Sequence, residues 1–430
     1  MPQNILLSAP IVLLFLFLAL RCFAGWGVPV RLPLGQASPA EGSGEDGSRV
    51  SPVRRELLKI FLWALGLRLL LLLAVIACTM LAGGSWEELP SKFQMWDARH
   101  YGNLVDLGYA NHQENGEHLF LVFYPLYVWV TRLVRLVVPN TIAAGVTVSV
   151  LSYSLGCCWV YRLAADQWNK SVAENAVLLL SLFPFSFFFG TVMTEGLFLL
   201  TTAAACYYAM KRKWLSYGIW GALAALTRMT GVLVIVPAVI ELLNSLGPLR
   251  PPMGESLKRS WKKLLLSLPL LAMPLLGFLA YLGLNWYVDG SPFAFAVHQE
   301  HWSQGGMWIS QVLGYIWYYL GNYIGEPMGW AVWLPTLVLF VVFFVTLALS
   351  AFRRENPPSL LVYGFCYLVA NYSLSWLLSA GRYLSCGFVF FIFAAALLER
   401  FPRLRGLVLG VEAVFLGIYL YAYTCGAQIM

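Results

Sequence analysis

Apolar residues run along this chain in long blocks, and the charged residues sit between the blocks. A helix rises ~1.5 Å per residue, so a block of roughly 20 residues matches the ~30 Å hydrocarbon layer of a bilayer. The pattern predicts helical spans near 5–23, 57–82, 141–162, 172–190, 194–210, 215–228, 230–244, 264–287, 329–351, 358–378, 383–399 and 406–426. No segment alternates in the way a transmembrane barrel requires. The expected architecture is therefore an all-α integral membrane bundle of about 11–12 transmembrane helices. Residues 119–138 are also apolar, but they carry Arg132 and Arg135. They are expected to form an interfacial helix in the first outer loop and not to cross.

The first block, Ile5 to Phe23, has no basic start and no small-residue cleavage site. Residues 1–24 are thus expected to be a retained transmembrane helix, not a cleaved signal. Residues 25–55 turn rich in Gly, Pro, Ser and Glu, which cannot bury enough apolar surface to fold alone and reads as a flexible cytoplasmic linker. Residues 56–430 hold the main membrane domain. Composition agrees: the chain is 60% hydrophobic and 11% charged, against roughly 25% charged in soluble domains.

The net charge of +7 raises nucleic acid as a partner, and the placement of charge excludes it. Of the 28 Lys and Arg, 21 lie in or beside the linker, 163–171, 211–213, 245–263, 352–357 and 399–405. All of these fall on one side of the predicted topology, which the positive-inside rule makes cytoplasmic. A crossing at 119–138 would carry Lys211, Arg212 and Lys213 to the other side. The eight cysteines lie in or beside apolar runs with no metal-ligand spacing and read as small buried hydrophobes. No metal or cofactor is expected, and no nucleotide-binding motif is present.

The same topology sorts the unusual polar residues onto the extracytoplasmic side. The first outer loop contains FQMWDARHYGNLVDLGY. On a helix, Asp97 and Tyr101 share a face, as do Trp96 and His100. A partly desolvated carboxylate at Asp97 would be a stronger base; the plain alternative is a solvated acid paired with Arg99. In FPFSFFFGTVMTEGLFLL, Glu195 sits at the mouth of a span, where an acid is costly unless it and Thr194 serve the helix N-terminus. In ALTRMTGVLV, Arg228 could hold a phosphate, anchor the interface or pair with Glu195. DGSPFAFAVHQEHWSQGGMW sets His298, Gln299, His301 and Trp302 among aromatics, which suits carbohydrate or an interfacial belt. His298 and His301 have no third ligand nearby, so a metal pair is set aside. Arg382, in SAGRYLSCG, is a second phosphate-ligand candidate or an interface anchor.

These segments in this order resemble the PIG-V-type mannosyltransferases, the family of GPI mannosyltransferase II and its bacterial relatives. WDARHYGNLVDLGY, FYPLY, FPFSFFFGTVMTEGLF, ALTRMTGVLV, DGSPFAFAVHQEHW and GRY carry the likeness, over roughly residues 57–400. The family is similar to other GT-C glycosyltransferases, multi-helix membrane enzymes that use lipid-phosphate sugars on the outer or lumenal face. The resemblance implies a GT-C-like bundle with Asp97 as its catalytic residue. It implies donor-phosphate contacts at Arg228 and Arg382. It places Trp96, His100, Tyr101, Glu195, His298, Gln299, Trp302 and Tyr383 among substrate-binding positions. Residues 1–55 look like an addition to the usual pattern.

The expected reaction moves a sugar, mannose by the resemblance, from a polyprenyl phosphate to an extracytoplasmic glycan or glycolipid hydroxyl, with inversion. A phosphodiester already carries a good leaving group, so one base suffices, unlike in glycosidases. The lipid-linked donor is then a co-substrate, and no cofactor is needed. The compact loops point to a bacterial plasma membrane, with the endoplasmic reticulum as the alternative. The competing class is a multi-pass transporter or lipid flippase. Against it stand the polar groups at one face instead of the midplane, and the lack of paired broken helices.

Overall fold

The computed structural model describes residues 2–35 and 53–429, and those residues are helical throughout apart from short connections. Most of the expected linker, residues 36–52, lies outside the described residues. Among the described residues, seven helices are long and apolar enough to cross a membrane: Ile5–Trp26, Arg54–Leu81, Thr141–Gln167, Met229–Leu246, Met253–Asp289, Gly329–Ala351 and Pro402–Thr424. The other expected spans are also helices, but shorter: Lys170–Leu182, Glu195–Met210, Trp214–Thr227, Pro358–Asn371 and Phe388–Leu398.

Burial explains why some short helices are apolar on every side. Glu195–Met210 is buried along nearly its whole length, so it meets protein in all directions. It packs on Thr141–Gln167 at a separation that small residues set. A methyl group on Gly196 would come within 2.3 Å of the Ser149 carbonyl oxygen, and one on Gly156 within 3.0 Å of Leu199. Such close backbone approach is how membrane helices pack without a hydrophobic drive between them. It also fixes the height of Glu195, the first residue of its helix.

Between Leu182 and Glu195 the chain leaves regular helix and passes through the aromatic turn Ser186–Gly190. Its carbonyls are satisfied from an unexpected source. Arg68, fully buried within Arg54–Leu81, donates Nη1 to Ser186 O at 2.5 Å and Nη2 to Ser181 O at 2.8 Å. Its guanidinium also lies 4.5 Å from the Tyr153 ring centre. A charge inside a span is thus held by carbonyl oxygens and a π face, and in return it pins this turn.

The segment expected to be interfacial forms the helix Pro125–Arg135, whose 11 residues are too few to span. Its inner stripe of Leu126, Tyr127, Val128 and Thr131 is buried. Arg132 donates Nε to Val105 O at 2.8 Å, and Arg135 pairs with Asp106 at 2.6 Å. Both arginines therefore tie this helix to Asp97–Leu107 beside it. The segment 289–328 contains one helix that hydropathy alone did not single out, Ile309–Tyr323. The N-terminal helix lies against the bundle, where Arg21 donates to Ala351 O and Asn356 O, each at 2.7 Å. Cys157, Cys206 and Cys386 are fully buried, and Cys425 is exposed.

Candidate active site

Asp97 opens the helix Asp97–Leu107, and a strained residue sets its direction. Trp96 has φ 54° and ψ −130°, a left-handed conformation that a bulky residue rarely adopts. Strain of this kind amounts to about 1–3 kcal/mol and persists only where packing imposes it. Here the Trp96 ring packs against the core. The turn delivers Asp97 to a helix N-terminus, where its negative charge is favoured.

Four residues from four separate parts of the sequence then form a continuous chain of charge. Arg382 Nη2 lies 2.6 Å from Asp97 Oδ2, and Arg382 Nε lies 3.4 Å from Glu195 Oε1. The same Glu195 oxygen accepts from Arg228 Nη2. Arg228 Nε donates in turn to Thr194 Oγ1 at 2.9 Å. Two carboxylates and two guanidinium groups thus alternate and balance. Exposure grades their roles: the Glu195 side chain is 0% exposed, Arg382 4%, Arg228 17% and Asp97 30%. The inner pair is sealed, while Asp97 and Arg228 reach open space. Only Oδ2 of Asp97 is engaged; Oδ1 has no hydrogen-bond partner among the described residues.

The Tyr383 ring lies beside both arginines, its centre 5.3 Å from the Arg228 guanidinium and 5.2 Å from that of Arg382. Tyr367 donates its hydroxyl to the Tyr383 carbonyl at 2.7 Å. These contacts hold both guanidinium planes in place.

The charged chain opens on a cavity of about 930 Å³, within the size range of small-molecule sites. Asp97, Tyr101, Glu195, Arg228, Arg382 and Tyr383 line one end. Gln299 and Trp302 line another part of the wall. Trp302 meets Phe120 and Phe123 edge-on, at 6.2 and 5.9 Å between ring centres. The loop beyond Trp302 is stapled across the cavity. Gly305 N donates to Ser375 Oγ at 2.7 Å, and Met307 N to Ser373 O at 2.9 Å.

Three of the sequence candidates do not line the cavity: Trp96, His100 and His298. Trp96 shapes the turn described above. His100 stacks on Phe120 at 4.6 Å, and His112 stacks on Phe120 at 3.8 Å. Burial pushes the pKa of both imidazoles below the ordinary value. His298 lies 3.5 Å from Asp289. His301, grouped in the sequence with Gln299 and Trp302, also lines the cavity, and Tyr124, Gln304 and Asn371 line it without having been assigned a role from the sequence.

A family described as dolichyl-phosphate-mannose-protein mannosyltransferase matches residues 124–278, a little over a third of the chain. That segment contains Glu195 and Arg228 but neither Asp97 nor Arg382. Among solved structures, the chain is similar to apo ArnT from Cupriavidus metallidurans, with 15% identity, 77% of this chain and 71% of that chain covered, and a TM-score of 0.47. It is also similar to the oligosaccharyltransferase AglB from Archaeoglobus fulgidus, in complex with an inhibitory peptide and a dolichol-phosphate. There the identity is 13%, the coverage 85% of this chain and 56% of that chain, and the TM-score 0.44. The chain thus spans a little over half the length of the archaeal protein. No curated protein gives a match to the chain.

Proposed function

We propose that this protein is a GT-C-type membrane glycosyltransferase that transfers a sugar from a polyprenyl-phosphate donor to an acceptor hydroxyl, with Asp97 as general base. The observation that carries this reading is the charged chain from Asp97 through Arg382 and Glu195 to Arg228, opening on one aromatic-walled cavity. The partial family match supports the donor class, and mannose is the sugar that match favours. The site face is read as extracytoplasmic because most Lys and Arg lie on the other side.

In this mechanism the acceptor O–H gives its proton to Asp97 Oδ1. The acceptor oxygen bonds to the anomeric carbon as the bond from that carbon to the phosphate oxygen breaks. The polyprenyl phosphate departs with the electron pair, and a single displacement inverts the carbon. Arg228, the more open guanidinium, meets the charge that develops on the phosphate. Arg382 is nearly sealed and already engaged by two carboxylates, so its part is to hold Asp97 Oδ2. Tyr383 packs beside both arginines and helps hold their guanidinium groups in place. Tyr101, Gln299 and Trp302 bound the sugar.

The test is transfer itself. Membranes containing the protein are incubated with labelled polyprenyl-phosphate mannose and with glucose and galactose counterparts, together with native lipid and glycan extracts. The reading expects label in a new product, with mannose preferred, and inverted linkage in that product. Solute or lipid flux with no transfer from any donor would instead favour a transporter.

A further inference from the structure

In the helix Met253–Leu271 only Ser260 and Leu271 are buried. The helix continues as Met273–Asp289, which leads into the outer loop that lines the cavity, so Met253 lies at the opposite face of the bundle. The apolar run from Leu264 to Tyr287 already reaches across the ~30 Å hydrocarbon layer at ~1.5 Å per residue. The turns before Leu264 are therefore left at the level of the lipid headgroups. They carry Lys258, Arg259, Lys262 and Lys263, all within ~9 Å of Leu264 along the helix axis.

Contacts on the protein side fix how this helix faces. Ser260 donates its hydroxyl to Leu246 O at 3.3 Å, and Leu264 packs against the core. Successive residues turn by ~100°. Moving round from that stripe, the exposed side chains of Leu257, Trp261, Leu265 and Leu268 come first. Lys258 and Lys262 follow, then Arg259 and Lys263, and these are exposed too. An apolar stripe and a basic stripe thus lie side by side. Trp261 is 57% exposed, and an exposed tryptophan beside lysines suits the boundary between acyl chains and headgroups.

The four cations are also unpaired. Elsewhere on the same face Lys170 pairs with Glu56, Lys211 with Asp166 and Arg353 with Glu355. Among the described residues, none of Lys258, Arg259, Lys262 and Lys263 meets a carboxylate, and Glu255, the one acid on the helix, pairs with none of them.

We propose that this face binds anionic phospholipid headgroups of the leaflet opposite the cavity. Lys258, Arg259, Lys262 and Lys263 meet the lipid phosphates, while Leu257 and Trp261 enter the acyl boundary beside them. Charge selects the lipid. A zwitterionic headgroup balances its own phosphate, so a lipid of net negative charge gains most from unpaired cations. The surface acts on the lipid and not on the reacting sugar, so it stands whichever reaction the cavity performs.

The test uses the full chain reconstituted in phosphatidylcholine vesicles with increasing fractions of brominated phosphatidylglycerol or brominated phosphatidylcholine, which quench tryptophans they touch. The part of the quenching lost in Trp261→Phe reports this face. It should reach half its maximum at a phosphatidylglycerol fraction at least about fivefold below that for phosphatidylcholine, the factor that one basic residue gives at a lipid surface. The preference should vanish when Lys258, Arg259, Lys262 and Lys263 are all replaced by Gln, read against the same variant with Trp261→Phe. It should also shrink between ~0.05 and ~0.5 M salt. Equal half-points for the two lipids in wild type overturn the proposal, and so does a preference that survives the four substitutions. A preference that appears only after Glu41→Gln, Glu45→Gln and Asp46→Asn overturns it as well and gives the face to residues 36–52. If the fourfold variant does not fold, Lys258→Gln with Lys262→Gln and the salt series on wild type decide, and a preference indifferent to both counts against the proposal.

Discussion

Replacing Glu195 by Gln tests whether the charged chain behaves as a unit. Glu195 Oε1 serves two guanidinium groups, and the glutamate has no exposure to water. Unit charges ~4 Å apart at an effective dielectric near 20 interact by about 4 kcal/mol. Breaking a buried pair from one side usually costs about 3–5 kcal/mol, because the remaining charge is left uncompensated. Glutamine keeps the volume and one accepting oxygen, so the lower end, about 3 kcal/mol, is the figure to expect. For a chain of 430 residues that corresponds to a fall of roughly 3 °C in melting temperature. Labelling of the fully buried Cys157, Cys206 and Cys386 by a thiol-reactive dye, read above the signal of the exposed Cys425, reports unfolding. Arg228→Gln alone should give a comparable loss, and the double variant should lose less than the sum by about 1–3 kcal/mol. A Glu195→Gln protein that melts with wild type, or a double variant whose losses add, would refute the coupled chain.

Two further outcomes follow from groups outside it. Arg68→Met removes the guanidinium donor from the Ser186 carbonyl and leaves Ser181 O with Ser186 Oγ alone, at about 1–3 kcal/mol in all; hydrogen exchange across residues 183–194 should accelerate, and unchanged exchange would remove Arg68 as the pin of that turn. His100 is half-buried and His112 buried, and both have lowered pKa values, so the unfolded chain takes up protons first as pH falls. Their stability contribution is full above about pH 6.5 and declines below it until the folded rings also protonate. Melting of wild type against a His100→Phe, His112→Phe variant at pH 7.5 and 5.5 checks this, and equal pH slopes would contradict it.

Much of the architecture was legible in hydropathy because the bilayer imposes a length on apolar runs. The interfacial placement of 119–138 followed from Arg132 and Arg135, and the structure gives the reason in their bonds to Val105 and pairing with Asp106. Hydropathy cannot separate a lipid-facing span from a short helix buried among others, which is why Glu195–Met210 read as an ordinary crossing. The possible Arg228–Glu195 pair was visible as one reading among several. Arg382 joining Asp97 to Glu195 was not, because nothing local in sequence links residues so far apart. Asp97 was weighed against a bond to its neighbour Arg99, and the structure pairs it with Arg382 instead. His100 and His298 looked like cavity residues from their aromatic surroundings, yet those same aromatics bury His100 by stacking.

The most direct test of the central claim is a single-turnover measurement with donor already bound, comparing wild type with Asp97→Asn. Asparagine keeps the shape and an oxygen for Arg382 but cannot take the acceptor's proton. The account predicts a transfer rate lower by roughly 10²–10⁴, with the donor Kd close to wild type and a smaller loss of melting temperature than Glu195→Gln gives, because Asp97 is the more exposed carboxylate. An Asp97→Asn protein that transfers at nearly the wild-type rate would contradict it, and would leave the charged chain as a structural element in search of another base.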